Sequence, residues 1–590
     1  IFDPSGLART DVTAETPLGD LSAFENSALL RDGDTIYIRG GEYVLENPIK
    51  FQRDNLTLSA YPDEQVTIRH GSHVYDWSIQ INRDNFHMSG LDIVGNMETP
   101  DGRLYSHLLV RINGDNAVIE NNVFRHNANF LPPEEGGDIA FGERVNRSGV
   151  TLSERAQLWG RTVLFDGSQG SVFRGNVVAA LDPDAVANWK QDLHQVEGLM
   201  TDNSEVLIEN NQFGPAGHHS LSSRFSTNHI RNNSFGDVSD YAHLLDFELS
   251  DHVKLPATHT AASLYANDGS IFEGNVVVYN TADPDDTGYG VQVQGTTNSD
   301  IFNNLFVDSH GTGHAVNLGI VRDSTEVTET AYNRVFNNTF YNVTSPISLG
   351  YFHGRAPEGG TAIHDNEIFG NVITYSDAKK TSIHDSVNSP IRLNLGDPIG
   401  GNGNRIENNL IYDYDSDIAA KSLVSTGTVH YTGEEFNALS FVNGNIFDHP
   451  VFAWSRGGDF RLHQSLSIDS NNDLTLDLTG QPRANGSLGA FSSFAVYAPA
   501  SVTEEAEEGN AANIVSTETT MNLDAKKQFL LNSLMFREIV EQGDEADGKD
   551  DDFAHKHISK ASAALPTESP IKHSPRFLLE SLHKQDARDR

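Results

Sequence analysis

The chain has 590 residues and a formal net charge of −41, with 37% apolar and 21% charged residues. That acidity argues against nucleic acid and against anionic membrane surfaces as general partners, while leaving enough apolar residues for a large core. It has no cysteine, which excludes disulfides, thiolate catalysis and cysteine-based zinc or iron–sulfur centres, and no apolar run is long enough to span a bilayer. The sequence begins at Ile1 without a signal peptide. It reads as a mature or trimmed form, and a secreted or periplasmic location is the expectation.

In chain order, residues 17–30 (PLGDLSAFENSALL) predict a short amphipathic helix that caps the first coil, and 32–45 (DGDTIYIRGGEYVL) lead into the first strands. A short phrase then recurs: IENNVF (119–124), FRGNVV (173–178), IENNQF (208–213), IRNNSF (230–235), FEGNVV (272–277), IFNNLF (301–306), VFNNTF (335–340), IFGNVI (368–373) and IENNLI (406–411). Its last Asn falls at 122, 176, 211, 233, 275, 304, 338, 371 and 409, and the smallest gap is 22 residues. A repeat of this length signals a solenoid. Each phrase alternates apolar and polar residues like a short strand. A second strand precedes most phrases: WSIQI (77–81), HLLVRI (107–112), TVLF (162–165), SLSSRF (220–225), GVQVQ (290–294), AVNLGI (315–320) and PIRLNL (390–395). Two or three strands per coil with Asn, Asp, Gly and Ser turns describe an all-β protein, a parallel β-helix. Asn suits the turns because it tolerates left-handed backbone angles, and stacked Asn amides bond along the axis.

At the far end, 478–491 (LTGQPRANGSLGAF) reads as a closing segment. The expected division is a β-helix over 1–498 and an extension over 499–590. That extension is an acidic linker followed by a helix at 521–542 (MNLDAKKQFLLNSLMFREIVEQ) and a further charged run.

Insertions between strands should build the functional groove. The longest lie at 131–161, 181–198 and 250–263, and carry Trp159 and Trp189. Seven of the 24 histidines fall between His194 and His259. Residues 22 apart should sit on adjacent coils, which places 218–224 beside 197–203 below and about 240–248 above. On that register one groove collects His218 or His219, Arg224, Tyr241 and His243 as catalytic candidates. Asp246 and Glu248 join Trp189, Lys190, His194 and Arg231 as candidates for substrate contact. A lyase that removes the proton beside a uronate carboxylate needs a cation for that carboxylate, a base and an acid. Arg serves the first task; His or Tyr serves the others.

The coil repeat resembles the right-handed parallel β-helix polysaccharide lyases, in particular the group of chondroitinase B and the β-helix alginate lyases. The segment SSRFSTNHIRNNSF (222–235) matches that family's turn and closing phrase, with Arg224 where the family has its catalytic Lys. The family's Glu-x-Glu calcium pair corresponds to Gly217 and His219 here, and its next-coil Arg to AHLLDFE (242–248). The resemblance therefore implies an anionic polysaccharide substrate and β-elimination that relies on Arg and His. No cofactor follows from the residues, and calcium stays open as the family's cation. Two other readings are an inverting hydrolase or an epimerase on the same fold, with Asp246 and Glu248 facing Asp166 or Glu197, and a non-catalytic glycan-binding adhesin.

Overall fold

The structure is a computed structural model. It describes residues 30–492 apart from 46, 71–76, 96–107, 126–159, 181–195, 254–259, 280–288, 310–313, 321–328, 352–361, 376–388, 396–401, 415–416, 425–426, 456–458, 463–473 and 484–486. The expected N-terminal capping helix and the whole extension after 498 lie outside the described residues. The chain divides into two units, 1–500 and 501–590.

The recurring phrase is a corner, not one strand. In IENNVF the strands are Val118–Glu120 and Val123–Arg125, and the two asparagines make the turn between them. Ile119 and Phe124 face the core, while Asn121 takes a left-handed φ of 56°. Gly175 holds the matching position of the next coil at φ 62°, so the sequence alternates the two residues that reach this region at low cost. The second residue of the pair is the invariant Asn. Asn233 accepts at Oδ1 from the Asn211 backbone N–H (2.9 Å) and from Asn211 Nδ2 (3.0 Å), and Asn233 Nδ2 donates to the Ile208 carbonyl and to Asn275 Oδ1. The ladder runs from Asn122 to Asn445 and bonds each coil's corner to the next.

Among the described residues, to which the strand counts that follow refer, the coils thus contribute one strand each to three sheets. The first sheet, from Thr35–Ile38 to Val442–Asn443, has 13 strands. The second runs from Gly41–Leu45 to Leu410–Asp413 and has 12. The third, from Ile49–Phe51 to Gly427–Thr432, has 13. Every pairing along the three stacks is parallel until the last strand of the third sheet, which turns back antiparallel on Ile418–Val424. The architecture is therefore the all-β parallel helix expected, with three strands to a coil. The strands expected before the phrases all belong to the third sheet.

Sealing differs from the sequence reading. The core is closed by the short helix Gly433–Asn437, which opens on a capping box between Thr432 and Glu435 and buries Phe436 completely. Segment 478–491 does not cap the end. It runs along the outside of the second sheet, where Ala490 N–H donates to Thr339 Oγ1 and Ala490 and Phe491 pack with Val276, Leu305 and Val307.

The outer faces of the three sheets differ. The first carries cross-coil ion pairs such as Glu120 with Arg174, Glu209 with Arg231, His229 with Glu273 and Asp300 with Arg334. The second carries ion pairs outside on its first coils, Glu42 with Arg69 and Asp92 with Arg125, and farther along is apolar outside as well as in, as a sheet covered on both faces should be. Val276 and Val278 pack outward and Val277 inward. The third carries one polar row, Ser222, Ser263, Gln292, Asn317 and Ser348, leading from Met200 to Arg392. The connections between the second and third sheets include all of the longest gaps between strands. The third sheet's outer face, at that corner, is where a site can be built.

Candidate functional site

Strands of the third sheet enter with two successive inward residues. Ala261 and Ala262 both lie in the core, as do Ala315 and Val316. At the same position Gly198 and Gly290 leave no room: an added Cβ would meet core side chains Val178 and Phe306 and a neighbouring carbonyl at 2.4 and 2.5 Å. The residue just before this step therefore faces out, where strict alternation would turn it in. Those residues form a second row, Arg161, Glu197, His219, Thr260, Tyr289 and His314, on consecutive coils about 4.8 Å apart.

At one end stands Glu197, buried to 2% exposure. His218 Nδ1 and His219 Nδ1 each lie 3.4 Å from its Oε1, and the two rings stand 3.6 Å apart at 51°. Burial opposes the charge of Glu197, but the hydrogen bonds and charges of the two imidazoles outweigh it and hold the carboxyl far below the usual range. Arg161, its register partner one coil below, has its pKa lowered by burial, which the nearby Glu197 carboxylate partly offsets. Arg224 lies on the outer face of the same strand, stacked over Tyr265 at 5.1 Å and in register with Asp202. Burial raises the Asp202 pKa and Arg224 opposes that rise.

At the other end stands a second constellation. His314 is fully enclosed; its Nε2 accepts from Arg392 Nη1 at 2.9 Å and its Nδ1 bonds to Ser345 Oγ. Burial first, and the Arg392 charge second, push its pKa well below the ordinary histidine value, so the ring is neutral. Tyr289 packs beside it, ring centroids 6.3 Å apart. Arg392 Nε and Asn317 Oδ1 are buried without a hydrogen-bond partner. Unsatisfied buried polar groups are rare and call for an explanation; a bound ligand is one.

The sequence reading correctly set 218–224 on 197–203, since Leu221 pairs with Leu199 and Arg224 with Asp202. Its next coil was wrong. Strand His219–Arg224 pairs with Thr260–Tyr265, and 236–259 is an insertion. Tyr241 lies on that insertion, packed against the outer second sheet, with its hydroxyl donating to Asp308. His243, Asp246 and Glu248 line an open depression of about 930 Å³ there with Ser239 and Leu249. Arg231 is on the first sheet, paired with Glu209 at 2.6 Å. Those five side chains thus do not join His219 and Arg224 in one groove, and Asp246 and Glu248 do not face Asp166 or Glu197. Trp189, Lys190 and His194 lie outside the described residues. Tyr289, His314, Asn317 and Arg392 were missed. The available signal was phase: Tyr289 and His314 precede GVQVQ and AVNLGI as His219 precedes SLSSR.

Calcium does not fit the described cluster. It takes about six to eight oxygen ligands, whereas Glu197, His218 and His219 offer one carboxylate and two imidazoles.

No protein-family profile and no curated protein sequence matches the chain. Solved structures similar to it include PfbA, a surface adhesin of Streptococcus pneumoniae (11% identity, TM-score 0.38, covering 67% of this chain and 86% of that one). Others are the alginate lyase AlyF-OU02 (14% identity, TM-score 0.37, 72% and 92%) and XylC in complex with xylose (11% identity, TM-score 0.40, 83% and 98%).

Proposed function

We propose that the chain is a polysaccharide lyase that cleaves a uronate-containing glycan by β-elimination along the outer face of the third sheet. The observation that carries this reading is the buried constellation of Tyr289, neutral His314 and Arg392, whose Nε has no partner. It combines the three capacities such a reaction needs at one place on the outward row of the third sheet.

The chemistry follows from the groups. The uronate carboxylate pairs with Arg392, and its neutralisation acidifies the C5 proton. Arg392 now occupies the lone pair of His314 Nε2; the carboxylate competes for the guanidinium and frees that nitrogen. Nε2 takes the C5 proton, the C5–H electron pair becomes the C4=C5 double bond, and the C4–O4 bond breaks. The departing O4 takes the Tyr289 hydroxyl proton. Transfer of a proton from the imidazolium to the phenolate then restores both groups. A neutral imidazole and a phenol suit base and acid at near-neutral pH. The polar row from Ser348 to Ser222 extends the same face toward Arg224, where an acidic protein keeps a cation for a neighbouring anionic sugar.

The test is incubation of the full chain with alginate, pectate and chondroitin, read at 235 nm and by reducing-end assay. The reading expects absorbance to rise together with new reducing ends. Reducing ends without absorbance would mean hydrolysis, and retention of the glycan without either product would mean an adhesin; both outcomes overturn it.

A further inference from the structure

The first end of the outward row carries a feature that elimination does not use. Glu197, His218 and His219 point three donor atoms at one spot, all within 4.8 Å of one another. As hydrogen bonds the two Nδ1–Oε1 separations of 3.4 Å are long, since N–H···O bonds fall at about 2.7–3.2 Å. As edges of a coordination polyhedron they fit: ligands about 2.1 Å from a zinc at tetrahedral angles stand about 3.4 Å apart. A second observation is independent of those distances. The other carboxylate oxygen, Oε2, is buried without a hydrogen-bond partner on a side chain that is 3% exposed. A buried carboxylate oxygen left without a partner calls for an explanation, and a bound cation is one.

We propose that Glu197, His218 and His219 form a binding site for one divalent transition-metal ion of the zinc type. Two imidazoles and one carboxylate are borderline donors that select such ions over calcium or magnesium. The fold supplies the arrangement. Glu197 and His219 stand two residues before the register pair Leu199 and Leu221, on adjacent coils. The inward step at Gly198 and Ser220 turns both outward, and His218 precedes the strand with its ring against that of His219. Arg161, on the coil below, is in register with Glu197.

Three protein ligands leave coordination positions open. His218 is the most exposed of the three, at 30%, so the open side faces solvent beside the polar row. Tyr289 lies two coils away, roughly 10 Å along the row. On the lyase reading, the ion's further ligand is an oxygen, carboxylate or hydroxyl, of a sugar bound next to the one being cleaved. That role rests on the lyase reading; the metal site does not.

The experiment uses the untagged full chain, stripped with chelator and titrated with Zn²⁺, Co²⁺ and Ca²⁺ by calorimetry, with bound metal counted after gel filtration. The expected result is one Zn²⁺ or Co²⁺ per chain, a visible Co²⁺ spectrum of four-coordinate intensity and no competition from Ca²⁺. Glu197→Gln, His218→Ala and His219→Ala should each weaken Zn²⁺ binding by about 100-fold or more. Circular dichroism confirms that each variant keeps the coil. Zn²⁺ affinity unchanged in all three folded variants, or no stoichiometric binding in the parent chain, overturns the site. The two proposals fail separately: bound metal without 235 nm product removes the lyase, and product from a chain that binds no metal removes the ion.

Discussion

At the residue scale the decisive group is His314. Enclosed against Arg392, it stays neutral while water-exposed histidines are beginning to protonate. Its folded pKa is depressed, so the stability linked to its neutrality is complete above the unfolded value and drains away as pH falls through the folded one. Unfolding titrations should therefore show stability dropping as pH is lowered below about 6.5, and His314→Gln should flatten that part of the profile. On the lyase reading the same group is the base, so His314→Gln should lower kcat by about 10²–10⁴-fold, measured at 235 nm. Arg392→Lys keeps the charge but loses the planar fork that a carboxylate engages; it should raise KM as well as lower kcat. Full activity in both variants would move the chemistry away from this constellation.

At the scale of elements, the corner is the unit that repeats. Asn275 accepts from the Asn233 backbone and side chain, and donates to Ile230 O and Asn304 Oδ1. Asn275→Ala would take those bonds from buried groups on the two flanking coils, a loss of about 3 kcal/mol readable by denaturant unfolding. Asn232, next to Asn233 on the coil before, at φ 53°, should accept Gly with little change, while Asn232→Val should cost about 1–2 kcal/mol. The IENN and FRGN phrases made this unit legible, because the left-handed residue and the ladder Asn are both chemically distinctive. The strands of the third sheet were legible too, from their apolar alternation. The site was not. Counting 22 residues from His219 leads into 240–248, but insertions such as 236–259 break the count, and the true neighbour is Thr260. Alternation counted back from Leu221 turns His219, Tyr289 and His314 inward. Only the extra inward residue at the head of each strand, enforced by the close approach at Gly198 and Gly290, brings them out.

At the scale of the molecule, stability comes from stacking, because each coil buries its apolar faces only against its neighbours. Among the described residues no further coil stacks on the last one, and what replaces it is local. The strand Gly427–Thr432 turns antiparallel on Ile418–Val424, and the helix after it sets Phe436 into the main core. An open parallel sheet end offers unpaired backbone groups to another chain, and the antiparallel turn ends parallel addition there. Two changes separate packing from edge protection. Phe436→Ala removes a fully buried ring and should cost about 3–5 kcal/mol while the protein stays monodisperse. Deleting 427–437 exposes both the core and the strand edge, and light scattering after gel filtration should then show concentration-dependent association. A monodisperse deletion variant with unchanged thermal unfolding would mean that the coil is closed by something other than this helix.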